Sequence, residues 1–161
     1  MKQFQRWTVI AFGLIALDAA LKFWTLRFVT SPILIFKTSF GIDLWLQCVT
    51  NRGGAWGIFS SFHLPLLYFR IAAIFCMLVY LIFKKQEPFF RGALFLVAVG
   101  ASANVIDCFA YKQVIDMIHF TFWGKSWGIF NVADSYICLG AFGMLRCLFK
   151  QENTRKKRVN G

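Results

Sequence analysis

The chemically informative residues of this chain are its acids. The sequence has only seven Asp and Glu residues, and Asp18, Asp107 and Asp134 fall inside or at the edges of strongly apolar stretches. A charged side chain costs about 3 kcal/mol at the centre of a membrane-spanning helix, so each of these acids needs a compensating partner. Lys22 follows Asp18 by one helical turn, a spacing at which acid and base pair on one helical face. The sequence therefore predicts an Asp18–Lys22 ion pair.

Asp107 and Asp134 need partners of a different kind. We expect a structural network around Asp107, because Asn104 lies one turn earlier on the same helical face. Asp134 follows Asn131 by three residues, which is the spacing of a helix N-cap and its N3 residue. Capping alone is therefore an alternative to a functional role for Asp134. The cations available to pair with Asp107 are Lys22, Arg52, Arg70 and Lys112.

Asp116 is the fourth notable acid, because it lies in a connecting segment and yet has apolar neighbours. Gly124 and Gly128 can turn the chain back between Asp116 and Asp134, which would bring the two carboxylates together. Two carboxylates held close share one proton, so that one acts as a base toward water and the other as an acid. Asp116 and Asp134 are thus the candidate catalytic pair. The apolar neighbours are Val114, Ile115, Met117 and Ile118.

Four apolar stretches must position these acids. With 58% hydrophobic and 16% charged residues, the 161-residue chain is too apolar for a soluble domain of its size. Each stretch approaches the roughly 20 residues that span a bilayer, which predicts one all-α membrane domain over residues 1–150 and a basic tail over 151–161. The first stretch also has features of a cleaved signal peptide, but its apolar run continues beyond the small residues. The predicted helices cover residues 7–26, 64–83, 89–110 and 129–149.

Basic residues cluster at one end of this predicted bundle. Because cations in short loops favour the cytoplasmic side, both termini are expected in the cytoplasm. Segments 28–63 and 111–128 then face the outer side of a bacterial cytoplasmic membrane. A net charge of +11 at helix ends and in the tail indicates membrane lipid headgroups rather than nucleic acid as partners. The clustered residues are Lys2, Arg6, Lys84, Lys85, Arg91, Arg146, Lys150, Arg155, Lys156, Lys157 and Arg158.

Three other kinds of site have weaker support. The five cysteines lack the paired spacing of a zinc site, and no His-Glu-x-x-His helix joins His63 to His119, so no metal or other cofactor is expected. A cysteine peptidase could use Cys108, His119 and Asp116, but nothing in the sequence fixes their geometry. A small membrane transporter or proton-conducting protein that uses intramembrane acids is the alternative function.

Five short segments place most of these polar residues in a recognisable order. They are Asp18-Ala-Ala-Leu-Lys22, Asn51-Arg-Gly-Gly-Ala-Trp-Gly57, Asn104-Val-Ile-Asp107, Val114-Ile-Asp116 and Phe130-Asn-Val-Ala-Asp-Ser135. Their order and their placement on four spans resemble the lipoprotein signal peptidase family, also called signal peptidase II. The resemblance covers nearly the whole chain. It implies a four-helix aspartic endopeptidase that cleaves prolipoproteins on the amino side of a diacylglyceryl-modified cysteine.

The same resemblance implies the residue roles. It makes Asp116 and Asp134 catalytic, with the active site near the outer membrane face, and it implies a small β-sheet cradle in the first outer segment. Alternating residues between Ile42 and Gln47 are compatible with a strand there. Prolipoproteins and membrane lipids are the expected partners of a monomer. The residues expected to support the site or bind substrate are Asn51, Gly53, Asn104, Asp107, Asn131, Asp18 and Lys22.

Two positions depart from the usual pattern of this family. Cys108 stands where an arginine commonly follows the aspartate, and Met117 replaces a usual phenylalanine. The first departure removes an expected cation beside Asp107. Arg52 or Arg70 is therefore predicted to lie within about 6 Å of Asp107 and to compensate its charge.

Overall fold

Four long apolar helices form the body of the protein. The computed structural model describes residues 2–52 and 62–159, and within them each of four helices is long and apolar enough to cross a membrane. This confirms the predicted number of spans. The helices are α1 (Lys2–Phe28), α2 (His63–Phe83), α3 (Pro88–Tyr111) and α4 (Val132–Val159).

Helix α3 lies at the centre of the bundle and contacts α1, α2 and α4. Its buried face carries small residues, including Ala93, Ala98 and Ala103, which let neighbouring helices approach closely. Large side chains point the other way, since Phe12 on α1 and Phe142 on α4 are 77% and 71% exposed. A bundle with small residues inside and aromatic residues outside is suited to lipid rather than water.

The predicted helix boundaries need three corrections. Helix α1 begins at Lys2 rather than at residue 7. Helix α4 begins at Val132 rather than at residue 129, because Lys125–Phe130 forms a strand that ends directly before it. Residues 151–159, which were expected to form a separate tail, continue α4 to Val159.

A four-stranded antiparallel sheet lies at one end of the bundle. The segment between α1 and α2 and the segment between α3 and α4 each contribute two strands to it. The strand predicted within the first segment is confirmed as part of β2, whereas the two strands of the second segment were not predicted. The strands pair in chain order. They are β1 (Ile33–Lys37), β2 (Ile42–Asn51), β3 (Val114–Phe122) and β4 (Lys125–Phe130).

Two tight turns join the strands and contact each other. Trp123 and Gly124 have φ angles of 50° and 73°, as the twist of a two-residue hairpin between β3 and β4 requires. The Trp123 amide donates to the carbonyl oxygen of Gly41 at 2.6 Å. A Cβ atom on Gly41 would lie 2.6 Å from the Trp123 ring, so glycine is needed where the two hairpins meet.

Gly100 provides a test of the α3–α4 packing. A Cβ atom there would meet the carbonyl oxygen of Ala133 and lie 2.9 Å from Ile137. We expect Gly100→Ala to destabilise the protein by about 1–3 kcal/mol, because overpacking forces the helices apart. Gly13→Ala is the control, because a Cβ atom at Gly13 meets nothing within 4 Å and alanine favours helix. Thermal unfolding in detergent would show a lower Tm for Gly100→Ala only; equal Tm values would contradict this packing.

Candidate active site

A buried lysine organises the polar interior beneath the sheet. Lys22 is 0% exposed, and its Nζ atom lies 2.6 Å from Asp18 Oδ2 and 2.6 Å from Asp107 Oδ2. It also donates to Asn104 Oδ1 at 3.0 Å. An ammonium group has three N–H donors, so these three contacts use all of them. The predicted Asp18–Lys22 pair is confirmed, and the same cation joins α1 to α3.

The ion-pair partner of Asp107 is Lys22, one of the four candidate cations, and neither Arg52 nor Arg70 forms an ion pair with it within 4.0 Å. That one of these arginines lies within about 6 Å of Asp107 stays a prediction. Asp107 Oδ2 also accepts from the Ile115 amide at 3.4 Å, which joins the end of α3 to the start of β3. The sequence could not rank Lys22 above the other three cations for Asp107, because Lys22 also has the favourable spacing to Asp18.

Asp18 also fixes the start of α4. Its Oδ1 atom accepts from the Ala133 amide at 2.8 Å, so one oxygen faces Lys22 and the other faces the first turn of α4. Amides in the first turn of a helix have no partner within the helix and form its positive end. This bond therefore satisfies a buried amide and neutralises part of the carboxylate charge.

Asn131 and Asp134 cap α4 reciprocally. Asn131 Oδ1 accepts from the Asp134 amide at 2.8 Å, and Asp134 Oδ2 accepts from the Asn131 amide at 3.2 Å. The predicted cap is confirmed. The second carboxylate oxygen of Asp134 accepts from Asn104 Nδ2 at 2.7 Å. Capping thus fixes the orientation of Asp134 but does not account for all of its contacts.

Asp116 lies in β3 with its carboxylate held between two asparagines. Asn131 Nδ2 donates to Oδ1 at 2.8 Å, and Asn51 Nδ2 donates to Oδ2 at 3.0 Å. The residue is 3% exposed. Burial raises the pKa of Asp116 to about 6; the hydrogen bond from Asn51 opposes the rise, and the charge of nearby Asp134 adds to it. Asp116 thus holds a proton more readily than an ordinary aspartate does.

The two aspartates line one groove of about 1440 Å³ that opens between the sheet and the helices. The structure brings together all the predicted site residues except Gly53, which lies outside the described residues. The predictions did not place Arg70 in this groove. The polar residues that line it include Asn51, Arg52, Arg70, Asn104, Gln113, Asp116, Ser126, Asp134 and Ser135; its apolar residues include Val49, Val114, Ile129, Phe130, Ile137 and Leu139.

This arrangement suits acid–base chemistry on a bound water. One carboxyl group with a raised pKa and a second held by a capping bond both face the same groove. Such a pair can supply one proton and accept another without a large movement of either side chain.

Comparison with known proteins identifies the family. The family model described as Signal peptidase (SPase) II matches residues 10–150. The chain belongs to the signal peptidase II family. Similar proteins include the lipoprotein signal peptidases of Clostridium tetani, 30% identical over 94% of this chain and 96% of that protein, and of Deinococcus radiodurans, 33% identical over 98% of this chain and 87% of that protein.

Solved structures share the fold. One bacterial membrane enzyme has a TM-score of 0.81 with 24% identity, covering 93% of this chain and 91% of the other. A second has a TM-score of 0.76 with 24% identity, covering 91% and 94%. Together with the four apolar helices, the family assignment makes this chain a multi-pass bacterial membrane protease.

Removing the buried cation should be more harmful than removing an exposed one. We expect Lys22→Met to destabilise the protein by about 3–5 kcal/mol, because Asp18 and Asp107 would be left buried without a counter-charge. Lys125→Met, at an exposed position of β4, should leave the Tm almost unchanged.

A triple variant separates the charge from the packing of Lys22. Adding Asp18→Asn and Asp107→Asn to Lys22→Met removes both uncompensated carboxylates, so part of the lost Tm should return. The measurement is the Tm of the wild type, of Lys22→Met and of the triple variant by thermal unfolding in detergent. A triple variant less stable than Lys22→Met would count against this electrostatic explanation.

The raised pKa of Asp116 predicts a pH-dependent stability. The folded protein binds the Asp116 proton with a pKa of about 6, above the ordinary value of 3.8. Protonated Asp116 therefore contributes to the free energy of unfolding; this contribution is fully present below about pH 4 and is lost as the pH rises through about 6. The shift corresponds to about 3 kcal/mol.

Asp116→Asn provides the measurement, because it removes the titrating proton. The Tm of the wild type minus the Tm of Asp116→Asn should fall between about pH 4 and pH 7. Asp134→Asn should move this fall to lower pH, because the negative charge of Asp134 helps to raise the pKa of Asp116. A Tm difference that does not vary with pH would contradict the raised pKa.

Proposed function

We propose that this chain is an aspartic endopeptidase that removes the signal peptide of a prolipoprotein on the amino side of its diacylglyceryl-modified cysteine. The observation that carries the proposal is that Asp116 and Asp134 face one groove and both bind Asn131. The family assignment and the names of the relatives in Clostridium tetani and Deinococcus radiodurans support the substrate class.

The two aspartates have different roles in this mechanism. We assign the shared proton to Asp116, because its buried carboxyl group, with a pKa raised to about 6, lies in β3, whereas Asp134 lies at the positive end of α4, which favours a negative charge. Asp134 acts in its ionised form, because it accepts hydrogen bonds from Asn104 and from the Asn131 amide at the positive end of α4. Asn131 orients both carboxyl groups, because its side-chain amide donates to Asp116 and its backbone amide donates to Asp134.

Hydrolysis then proceeds in two steps, each with two proton transfers. Asp134 takes a proton from water as the water oxygen attacks the scissile carbonyl carbon, while Asp116 gives its proton to the carbonyl oxygen. This forms a tetrahedral diol. The carbon–nitrogen bond breaks as Asp134 returns its proton to the leaving nitrogen and a diol hydroxyl returns its proton to Asp116. No covalent enzyme intermediate forms, and both aspartates regain their starting states.

The position of the dyad fits a substrate anchored in lipid. Asp134 lies in the first turn of α4 and Asp116 in the adjoining sheet, so the dyad lies where the bundle meets the sheet. Apolar residues of the groove, such as Ile137 and Leu139, can accommodate acyl chains beside the peptide. The lipid anchor confines the scissile bond to this level of the membrane, which supplies proximity.

The proposed orientation in the bacterial cytoplasmic membrane follows from basic residues at the end of the bundle opposite the sheet. Lys84 and Arg91 lie near helix ends remote from the sheet, and Arg146 of α4 contacts Phe89 at the start of α3; basic residues at such positions favour the cytoplasm. Both termini then lie in the cytoplasm and the dyad near the outer face. One chain supplies both aspartates, which supports a monomeric enzyme.

Conservative substitutions test the dyad. Asp116→Asn and Asp134→Asn should each lower kcat by about 10²- to 10⁴-fold, because each removes one of the two groups that transfer protons. The measurement is cleavage of a purified diacylglyceryl-modified precursor by the full-length protein in detergent. The unlipidated precursor should be cleaved far more slowly by the wild type.

Asp43→Asn is the matched control. Asp43 lies in β2 of the same sheet, where it accepts from Thr121 at 3.5 Å, and it does not line the groove. This variant should retain activity. Full activity of Asp116→Asn or Asp134→Asn, with wild-type cleavage established, would rule out the two-aspartate mechanism.

A further inference from the structure

Arg70 is a charged residue within the membrane-spanning part of α2 that the proposed mechanism does not use. The rest of that helix is almost entirely apolar, and a cation inside a membrane span is costly unless it has a partner or a function. The partner predicted from the sequence, Asp107, is bound to Lys22 instead. Arg70 therefore needs another explanation.

The contacts of Arg70 leave most of its hydrogen-bonding capacity unused. Its Nη1 atom lies 3.8 Å from Cys108 Sγ, and within residues 2–52 and 62–159 no carboxylate lies within 4.0 Å of its guanidinium group. A guanidinium group has five N–H donors, and a thiol is a weak acceptor. Cys108 thus fixes the position of the group without neutralising it.

The unused donors belong to a half-buried side chain that lines the same groove as Asp116 and Asp134. When a precursor binds in this groove, its backbone carbonyl groups lose their contacts with water. Burying such groups without a hydrogen-bond donor is costly. A guanidinium group suits them, because it is always charged and presents several donors in one plane. Hydrogen bonds from a charged donor are also stronger than those from a neutral one.

We propose that Arg70 is a substrate-binding residue, whose guanidinium group donates to a backbone carbonyl oxygen of the precursor next to the scissile bond. Cys108 holds the guanidinium over the groove. This inference rests on the proposed peptidase function and extends it, because it assigns the binding of the peptide backbone to α2. The two aspartates perform the chemistry, and Arg70 sets where the peptide lies.

Steady-state kinetics on lipidated precursor provide the test. Arg70→Leu should lower kcat/KM by about 10- to 100-fold, as expected for the loss of a hydrogen bond to a charged group. Most of the loss should appear as a higher KM, because the interaction exists before the chemical step. Arg70→Lys should recover part of it. Arg27→Leu, at an exposed position in the last turn of α1, should behave as the wild type.

A binding measurement separates this inference from the proposed mechanism. In the Asp134→Asn background, Arg70→Leu should weaken binding of a fluorescent lipidated precursor by about tenfold while the Tm stays unchanged. Unchanged binding and kcat/KM, in a wild type that cleaves, would overturn the role of Arg70 alone. Absence of cleavage by the wild type would instead overturn the proposed function.

Vesicle composition distinguishes the peptide from a lipid headgroup as the ligand of Arg70. Cleavage should be compared in vesicles of zwitterionic phosphatidylcholine with and without anionic phosphatidylglycerol. A loss for Arg70→Leu that is equal in both vesicles supports binding to the peptide. A loss that appears only with phosphatidylglycerol would assign Arg70 to a phosphate headgroup and would overturn the proposal.

Discussion

The buried ammonium group of Lys22 is the interaction on which the polar interior depends. It neutralises Asp18 and Asp107 together, at 2.6 Å from each, in a part of the protein from which water is excluded. Through Asp18 it reaches the amide of Ala133 at the start of α4, and through Asp107 it reaches the amide of Ile115 at the start of β3. One cation thus fixes the positions from which both catalytic candidates project. In a membrane, where apolar side chains gain little by leaving lipid for protein, such polar contacts have an unusually large share in fixing how helices pack.

Helix capping and the proposed catalysis use the same residue, Asp134, at the start of α4. From the sequence, capping alone is an alternative to a functional role for Asp134; in the structure the cap orients the carboxylate and leaves it facing the groove. The side-chain amide of Asn131 donates to Asp116 while its carbonyl oxygen accepts from the Asp134 amide. An asparagine side chain has both a donor and an acceptor, so it can cap α4 and also bind the Asp116 carboxylate, whereas an ionised aspartate cap has no donor for Asp116.

The features predicted correctly are those that depend on short spacing along the chain. The four spans follow from apolar length, the Asp18–Lys22 pair from one helical turn, and the Asn131–Asp134 cap from three residues. Contacts between distant segments could not be ranked, which is why Lys22 was not recognised as the partner of Asp107. Strands β3 and β4 were missed for another reason. The first four residues of β3 are all buried, so that part of the strand lacks the alternation that marks a strand with one exposed face.

The sheet is part of the proposed active site, because it carries Asp116 and its partner Asn51. Asn51 lies opposite Val114 in the β2–β3 register, so its side chain is diagonal to Asp116 on the same face and can donate to it. A register slip of one residue would turn the Asp116 carboxylate to the other face of the sheet, away from Asp134. The dyad therefore combines one acid whose direction is set by strand register with another whose direction is set by a helix cap. Asn131 spans the two, and a displacement of β3 from α4 would break its 2.8 Å bond to Asp116. The proposed catalytic geometry therefore requires that the sheet stays docked on the bundle.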